Sequence, residues 1–105
     1  MMVAFHLIAK IRQAQIEVTA VLAWVALNEG KTQKQLRDSL GMASSTSSRN
    51  LAALSKVHRL GKPGLELIEW HESLEDRRQK LLYLSPKGRK FVADVLRIIA
   101  GNVDS

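Results

Sequence analysis

Apolar and polar positions alternate along this chain in two rhythms, one helical and one extended, with a short polar break between them. From Val3 to Glu29 there is neither glycine nor proline. Phe5, Ile8, Ile11, Val18, Val21, Leu22 and Val25 recur there at helical spacing. The pattern fits one long helix, or two with a break near Gln13 to Glu17. The stripe falters at Gln13 and Gln15, which favours the break. Gly30 then offers a left-handed cap. Thr32 starts a second helix: its hydroxyl can accept from the amide three residues on, and Gln35 can reach back to form a capping box. Leu36 and Leu40 are its inward residues, and Gly41 permits the positive φ of a tight inter-helix turn. Met42 should pack beneath that turn. Ser44 or Ser45 is expected to cap a third helix running to about Val57, with Leu51, Leu54 and Val57 inside.

Extended rhythm follows. His58 to Gly64 contains two glycines and a proline and reads as a loop. Leu65 to His71 alternates as a strand, with apolar residues on both faces, so its inward face is open. Glu72 to Arg78 is the turn, and Gln79 to Leu84 returns as the second strand. Ser85-Pro86 starts the last helix, with serine as cap and proline at the first position, where its missing N–H costs nothing. The expected fold is mainly α with a small β-hairpin, a winged helix-turn-helix. It is read as one domain over residues 1–105, with terminal helices at about 2–28 and 86–100.

Charge sharpens this picture. The chain of 105 residues carries sixteen Lys and Arg against ten Asp and Glu, a net charge of +6. Thirteen of the cations and six of the acids lie between Lys31 and Lys90. The excess therefore sits with the helix pair and the hairpin, the footprint of a polyanion binder. The bland alternative is a soluble basic surface. Cysteine is absent, which removes disulfides, thiolate metal sites and a cysteine nucleophile. His6, His58 and His71 show no metal-ligand spacing. No phosphate loop or nucleophile elbow occurs, so neither cofactor, metal nor catalysis is expected. No run is long enough to span a membrane. The N-terminus lacks the charged segment of a signal peptide, which leaves the cytoplasm as the expected location.

Two segments carry the candidate chemistry. Ser44, Ser45, Thr46, Ser48 and Arg49 would line the first turns of a helix that enters a DNA major groove. Short hydroxyls let the backbone approach closely, and arginine can bond guanine with two donors. Arg77, Arg78 and Lys80 would form a wing on the flanking backbone or minor groove, with Asp76 pairing an arginine or capping the turn. Thr32, Gln33, Lys34, Lys56, Arg59 and Lys62 are weaker candidates for phosphate contact. Phe5, Ile8, Ile11, Phe91, Val95, Ile98 and Ile99 exceed what one small domain buries, which points to a homodimer. Trp24, Trp70 and Tyr83 read as core or interface rather than as platforms for stacked bases.

Three stretches resemble the MarR family of bacterial winged-helix regulators. Thr32-Gln-Lys-Gln-Leu-Arg-Asp-Ser-Leu-Gly41 is similar to the first helix of the family's pair. Ser44-Ser-Thr-Ser-Ser-Arg-Asn-Leu51 is similar to its recognition helix. Asp76-Arg-Arg78, with Leu82, Leu84, Ser85 and Gly88 at the matching offsets, resembles its wing signature and is the most specific of the three. The resemblance covers about residues 16 to 92. It implies a homodimer, joined through its terminal helices, on a near-palindromic operator, usually as a repressor. It also implies that Asp76 orients Arg78 toward the minor groove. The chain departs from the family at Ser47 and Asn50, where apolar residues are usual, and at Arg37, where a small one is. The His58–Gly64 loop is longer, and only about one helix follows the wing. Other readings of the same head are a replication, partition or DNA-architecture protein, or a module that binds proteins.

Overall fold

The computed structural model describes residues 2–55 and 63–104, and the side chains of 6–10, 12–55 and 63–101. The elements in order are α1 (Met2–Leu27), β1 (Lys31–Thr32), α2 (Gln33–Leu40), α3 (Ser44–Leu54), β2 (Ile68–Glu72), β3 (Lys80–Leu84) and α4 (Pro86–Asp104). The three strands form one antiparallel sheet in the order β1-β3-β2. This is a winged helix-turn-helix, with β2 and β3 as the wing.

α1 is a single helix with no break at Gln13 to Glu17, contrary to the expectation. A faltering apolar stripe reports burial, not helicity. Glutamine is a good helix former, and the segment is held by Gln13 Nε2 donating to Glu17 Oε1 (3.4 Å) and Thr19 Oγ1 donating to the Gln15 carbonyl (2.8 Å). The stripe is lost because the first half of α1 has no core to face. Leu7 and Ile8 are exposed, whereas Val21 and Val25 are fully buried.

α2 begins as expected. Thr32 Oγ1 accepts from the Gln35 amide (3.2 Å), and Gln35 Oε1 accepts from the Thr32 amide (2.9 Å). Gly41 ends the helix at φ 60° in the left-handed region, its N–H donating to the Arg37 carbonyl. α3 differs at both ends. Its N-cap is Ala43, without a side-chain cap bond, and Ser44 is already helical. Ser44 and Ser45 both lie within the helix, so neither caps. The helix stops at Leu54, where Ser55 Oγ donates to the Leu51 carbonyl (2.6 Å). Val57 and His58 lie outside the described residues.

The strand expected from Leu65 begins at Ile68. Residues 65–67 are claimed by the end of α3 instead: the amides of Leu65, Glu66 and Leu67 donate to the carbonyls of Ala53, Ser55 and Leu54 (2.9, 3.2 and 2.8 Å). Glu66 sits at φ 56°. That kink interrupts the alternation and lets consecutive Leu67 and Ile68 both enter the core. Ile68 and Trp70 then pair with Leu84 and Leu82 on the inward face. The strand β1 had no signal in the sequence. Two residues long, it exists because Lys31 and Thr32 pair with Leu82 and Leu81, and the Gly30 amide donates to the Leu82 carbonyl (2.9 Å). Gly30 is left-handed (φ 87°) but lies past the end of α1, in the turn into β1.

Val21, Val25, Leu36, Leu51, Leu54, Leu67, Ile68, Leu82 and Leu84 form the core, with Met42, Trp24, Trp70 and Val92 packed on its edge. Ser85 caps α4, its hydroxyl accepting from the Gly88 amide (2.9 Å). Beyond Val92, α4 runs free of the core to Asp104, past the expected end near residue 100. The radius of gyration is 15.4 Å, against about 13 Å for a compact chain of this size. The difference is the two terminal helices, which project.

Candidate nucleic-acid interface

The described candidates fall on three elements: the start of α2, the first turns of α3 and the wing. On α3, Ser44, Ser45, Ser48 and Arg49 are exposed and Thr46 is half-buried, while Ser47 and Asn50 are buried. The departures noted at Ser47 and Asn50 are therefore inward-facing polar groups, and each has a partner. Ser47 Oγ donates to the Ser44 carbonyl (3.0 Å) and accepts from Gln33 Nε2 (3.2 Å). Asn50 Nδ2 lies 3.5 Å from Glu17 Oε2 and 4.0 Å from Met42 Sδ. Gln33 Nε2 also reaches Ser48 Oγ (3.0 Å), so one amide ties the start of α2 to the exposed face of α3.

Arg49 is held from an unexpected side. Its Nη2 lies 3.6 Å from Glu17 Oε2 on α1. Glu17 thus meets Gln13, Asn50 and Arg49, joining the N-terminal helix to the exposed arginine of α3. The sequence did hold a signal for this. Glu17 lies four residues before Val21, in line with the buried stripe, where an acid needs a partner.

The wing tip is a compact turn. Ser73 Oγ accepts from the amides of Glu75 and Asp76 (3.3 Å each). Asp76 Oδ1 accepts from the Arg78 amide (3.0 Å) and from Arg78 Nε (3.3 Å). Asp76 therefore accepts from both the backbone and the side chain of Arg78 within the turn. Arg77 and Arg78 project into solvent, Arg78 with 91% of its side chain exposed. Lys80, also exposed, extends over the Trp70 ring, with Nζ 5.9 Å from the centroid. Lys34 is exposed at the start of α2, and Thr32 is half-buried in its capping box. Lys56, Arg59 and Lys62 lie outside the described residues.

The other face of the wing has the opposite character. An open cleft of about 800 Å³ runs across it, lined by Glu69, His71, Glu72, Glu75, Tyr83 and Arg89. Its acids make it a poor neighbour for phosphate, whereas the side of the wing that carries Arg78 and Lys80 borders Gln33 and Lys34 of α2. At the edge of this cleft Glu29 was missed by the sequence reading. Glu29 Oε1 accepts from the Leu84 amide (2.8 Å), and its two oxygens pair with the Arg89 guanidinium (2.8 and 3.0 Å). Among the described residues there is no group of three or more metal-ligating side chains, and no helix is long and apolar enough to cross a membrane.

Of the apolar residues expected at a dimer surface, Ile8, Phe91, Val95, Ile98 and Ile99 are exposed. Leu7, Ile16, Leu27 and Leu96 join them. The side chains of Phe5 and Ile11 lie outside the described ones.

No family model and no curated protein matches the sequence. Solved structures do match. CouR, a transcriptional repressor solved on a 23-mer DNA duplex, is similar over 77% of this chain and 51% of its own, at 28% identity and TM-score 0.63. Streptococcus pneumoniae FabT, solved in complex with DNA, is similar over 84% and 55%, at 25% identity and TM-score 0.62. The F27L mutant of S. aureus MepR, bound to an oligodeoxyribonucleotide, is similar over 98% and 75%, at 22% identity and TM-score 0.69. The chain spans about half the length of CouR and FabT. Its fold is the winged helix of the MarR-family transcription regulators, which are not enzymes.

Proposed function

We propose that the chain is a sequence-selective, double-stranded DNA-binding transcription regulator that acts as a cytoplasmic homodimer and represses by occupying a promoter. One observation carries this reading. Gln33 links the start of α2 to Ser48 on the exposed turn of α3, and the same stretch of α2 borders a cleft with Arg78 and Lys80 of the wing. A helix face rich in hydroxyls and a cationic hairpin are thereby joined into one continuous surface, the shape that reads a groove and grips its flanks. That CouR, FabT and MepR were each solved on DNA supports the same partner here.

In this mechanism nothing is made or broken. Ser44, Ser45, Thr46, Ser48 and Arg49 meet base edges in the major groove, with Arg49 the strongest discriminator. Arg77 and Arg78 hold the flanking minor groove, Arg78 oriented by Asp76. Lys34 and Lys80 meet phosphates. The exposed apolar residues of α1 and α4 support a second copy as the partner, since patches of this kind are rarely left wet.

Selection of bound sequences from random duplex DNA tests the reading, with the affinity of the winner followed against salt. An inverted repeat with half-sites about one helical turn apart and a steep fall of log K with log salt is expected. Salt-dependent binding without an enriched sequence would replace regulation by an architectural role. No binding to any duplex would refute the proposal and favour a protein-binding module.

A further inference from the structure

In sequence, Lys34 belongs to α2 and Lys80 to the wing, 46 positions apart, and nothing in their spacing connects them. In the fold both line one cleft of about 240 Å³, together with Gln33, Trp70 and Arg78. No acid lines it. Asp76 engages Arg78 through Oδ1 within the wing turn, and it is not among the lining residues. Among the ion pairs of the described residues, none involves Lys34 or Lys80. Two unneutralised ammonium groups and a guanidinium therefore border one small space. Cations held in proximity repel, and an anion placed between them relieves that repulsion.

The walls of the cleft are also fixed. Trp70 Nε1 donates to Ser55 Oγ (3.0 Å), which anchors the ring beside which Lys80 lies. Gln33 is anchored to Ser47 and Ser48 of α3 (3.2 and 3.0 Å). The cleft is open to solvent and has room for a phosphodiester group. The helix face and the wing flank it, so the anion it suits is one that runs between them.

We propose that this cleft is a single-phosphate site, in which Lys34 of α2 and Lys80 of the wing grip one and the same backbone phosphate of the duplex, while Arg78 at its rim reaches on toward the minor groove. The inference rests on the DNA-binding reading above and makes it specific. One phosphate per half-site is held from two elements at once and sets the distance between the base contacts of α3 and the wing. Lysine suits this role because a compact charge on a flexible stem can follow a phosphate.

Methylphosphonate scanning with the full chain tests it. Each phosphate of a bound duplex is replaced in turn by the neutral methylphosphonate, and binding is measured for wild type, Lys34→Gln and Lys80→Gln. On unmodified DNA each variant binds more weakly. At one position per half-site the modified duplex weakens wild type, and on that duplex both variants bind as wild type does, because the anion they served is gone. At every other position the variants keep their deficit. Thermal melting of the two variants matches wild type, since both side chains are exposed. Deficits that cancel at two different phosphates, or at none, while wild type still binds duplex DNA with a steep salt dependence, would overturn the shared site and leave the DNA-binding reading intact. Failure of wild type to bind any duplex would overturn both.

Discussion

Glu17→Gln is expected to strengthen DNA binding, and the gain should vanish when Arg49 is absent. Arg49 Nη2 is 3.6 Å from Glu17 Oε2, with 58% of the arginine side chain and 21% of the glutamate exposed. A pair of this exposure contributes about 0.2–1 kcal/mol. If Arg49 must leave Glu17 to reach a base, that energy is lost on binding. Removing the carboxylate charge would then raise affinity by about 1.4- to 5-fold. Glutamine keeps the size of the side chain and an oxygen that can still accept from Asn50 Nδ2, so the packing against α3 is retained. The assay is a double-mutant cycle on a selected duplex, with wild type, Glu17→Gln, Arg49→Ala and the double variant. Arg49→Ala alone should cost about 1–3 kcal/mol and relax the preference at one base position. In the Arg49→Ala background Glu17→Gln should change nothing, since its only route to the DNA is through the arginine. An equal gain in both backgrounds would refute the reasoning, because the glutamate would then be repelling phosphate directly. So would no gain in either.

Other expectations concern the frame that holds this surface. Gly88 and Gly101 both lie in α4, yet alanine should act with opposite sign. A Cβ at Gly88 would fall 1.9 Å from the Leu67 carbonyl oxygen, a backbone atom, so Gly88→Ala should lower the melting temperature or prevent folding. A Cβ at Gly101 meets nothing within 4 Å, so Gly101→Ala should stabilise by about 0.5–1 kcal/mol through helix propensity, read by denaturant unfolding. Leu82 is fully buried on the central strand, and Leu82→Ala should cost about 2–5 kcal/mol in the same assay. Asp76→Asn should leave stability nearly unchanged but weaken binding to all duplexes, because Arg78 loses a charged partner that orients it; unchanged affinity would remove the orienting role.

Local chemistry was legible in the sequence, and long-range chemistry was not. The capping box of Thr32 and Gln35, the left-handed Gly41 and the Ser85-Pro86 start of α4 each depend on residues within a few positions of one another. Their side chains and dihedral limits are stated by the residues themselves. The two-residue strand β1 depends instead on Leu81 and Leu82, and the delayed start of β2 depends on carbonyls at the end of α3. The serine run misled for a related reason. Ser44 and Ser45 are good caps in isolation, but Ala43 takes that position and buried Ser47 takes the Gln33 amide. The candidate surface was read residue by residue, and its connectivity, in which Gln33 joins α2 to α3, appears only when the elements are packed.

The most consequential thing hidden from the sequence is how α1 is secured. Glu17, Val21, Val25 and Glu29 follow one another at intervals of four, so the two buried valines are bracketed by acids. A helix advances about 400° in four residues, which keeps Glu17 near the face of the buried valines, and Glu29 lies in the turn just past the end of α1. Each ends on an arginine of another element: Glu17 on Arg49 of α3, Glu29 on Arg89 of α4, the latter 60 residues away. The core contacts of α1 are non-directional and would tolerate a small slide, whereas the bidentate Glu29–Arg89 pair and the Leu84 amide bond fix a distance and an angle. α4 leaves the core after Val92, so this clamp governs where its exposed apolar face points relative to the head. In a homodimer built on that face, the spacing of the two heads would follow from the clamp. Glu29→Gln should therefore loosen the preferred half-site spacing while a single half-site binds as before. A spacing preference that stayed as sharp as in wild type would place the control of geometry elsewhere.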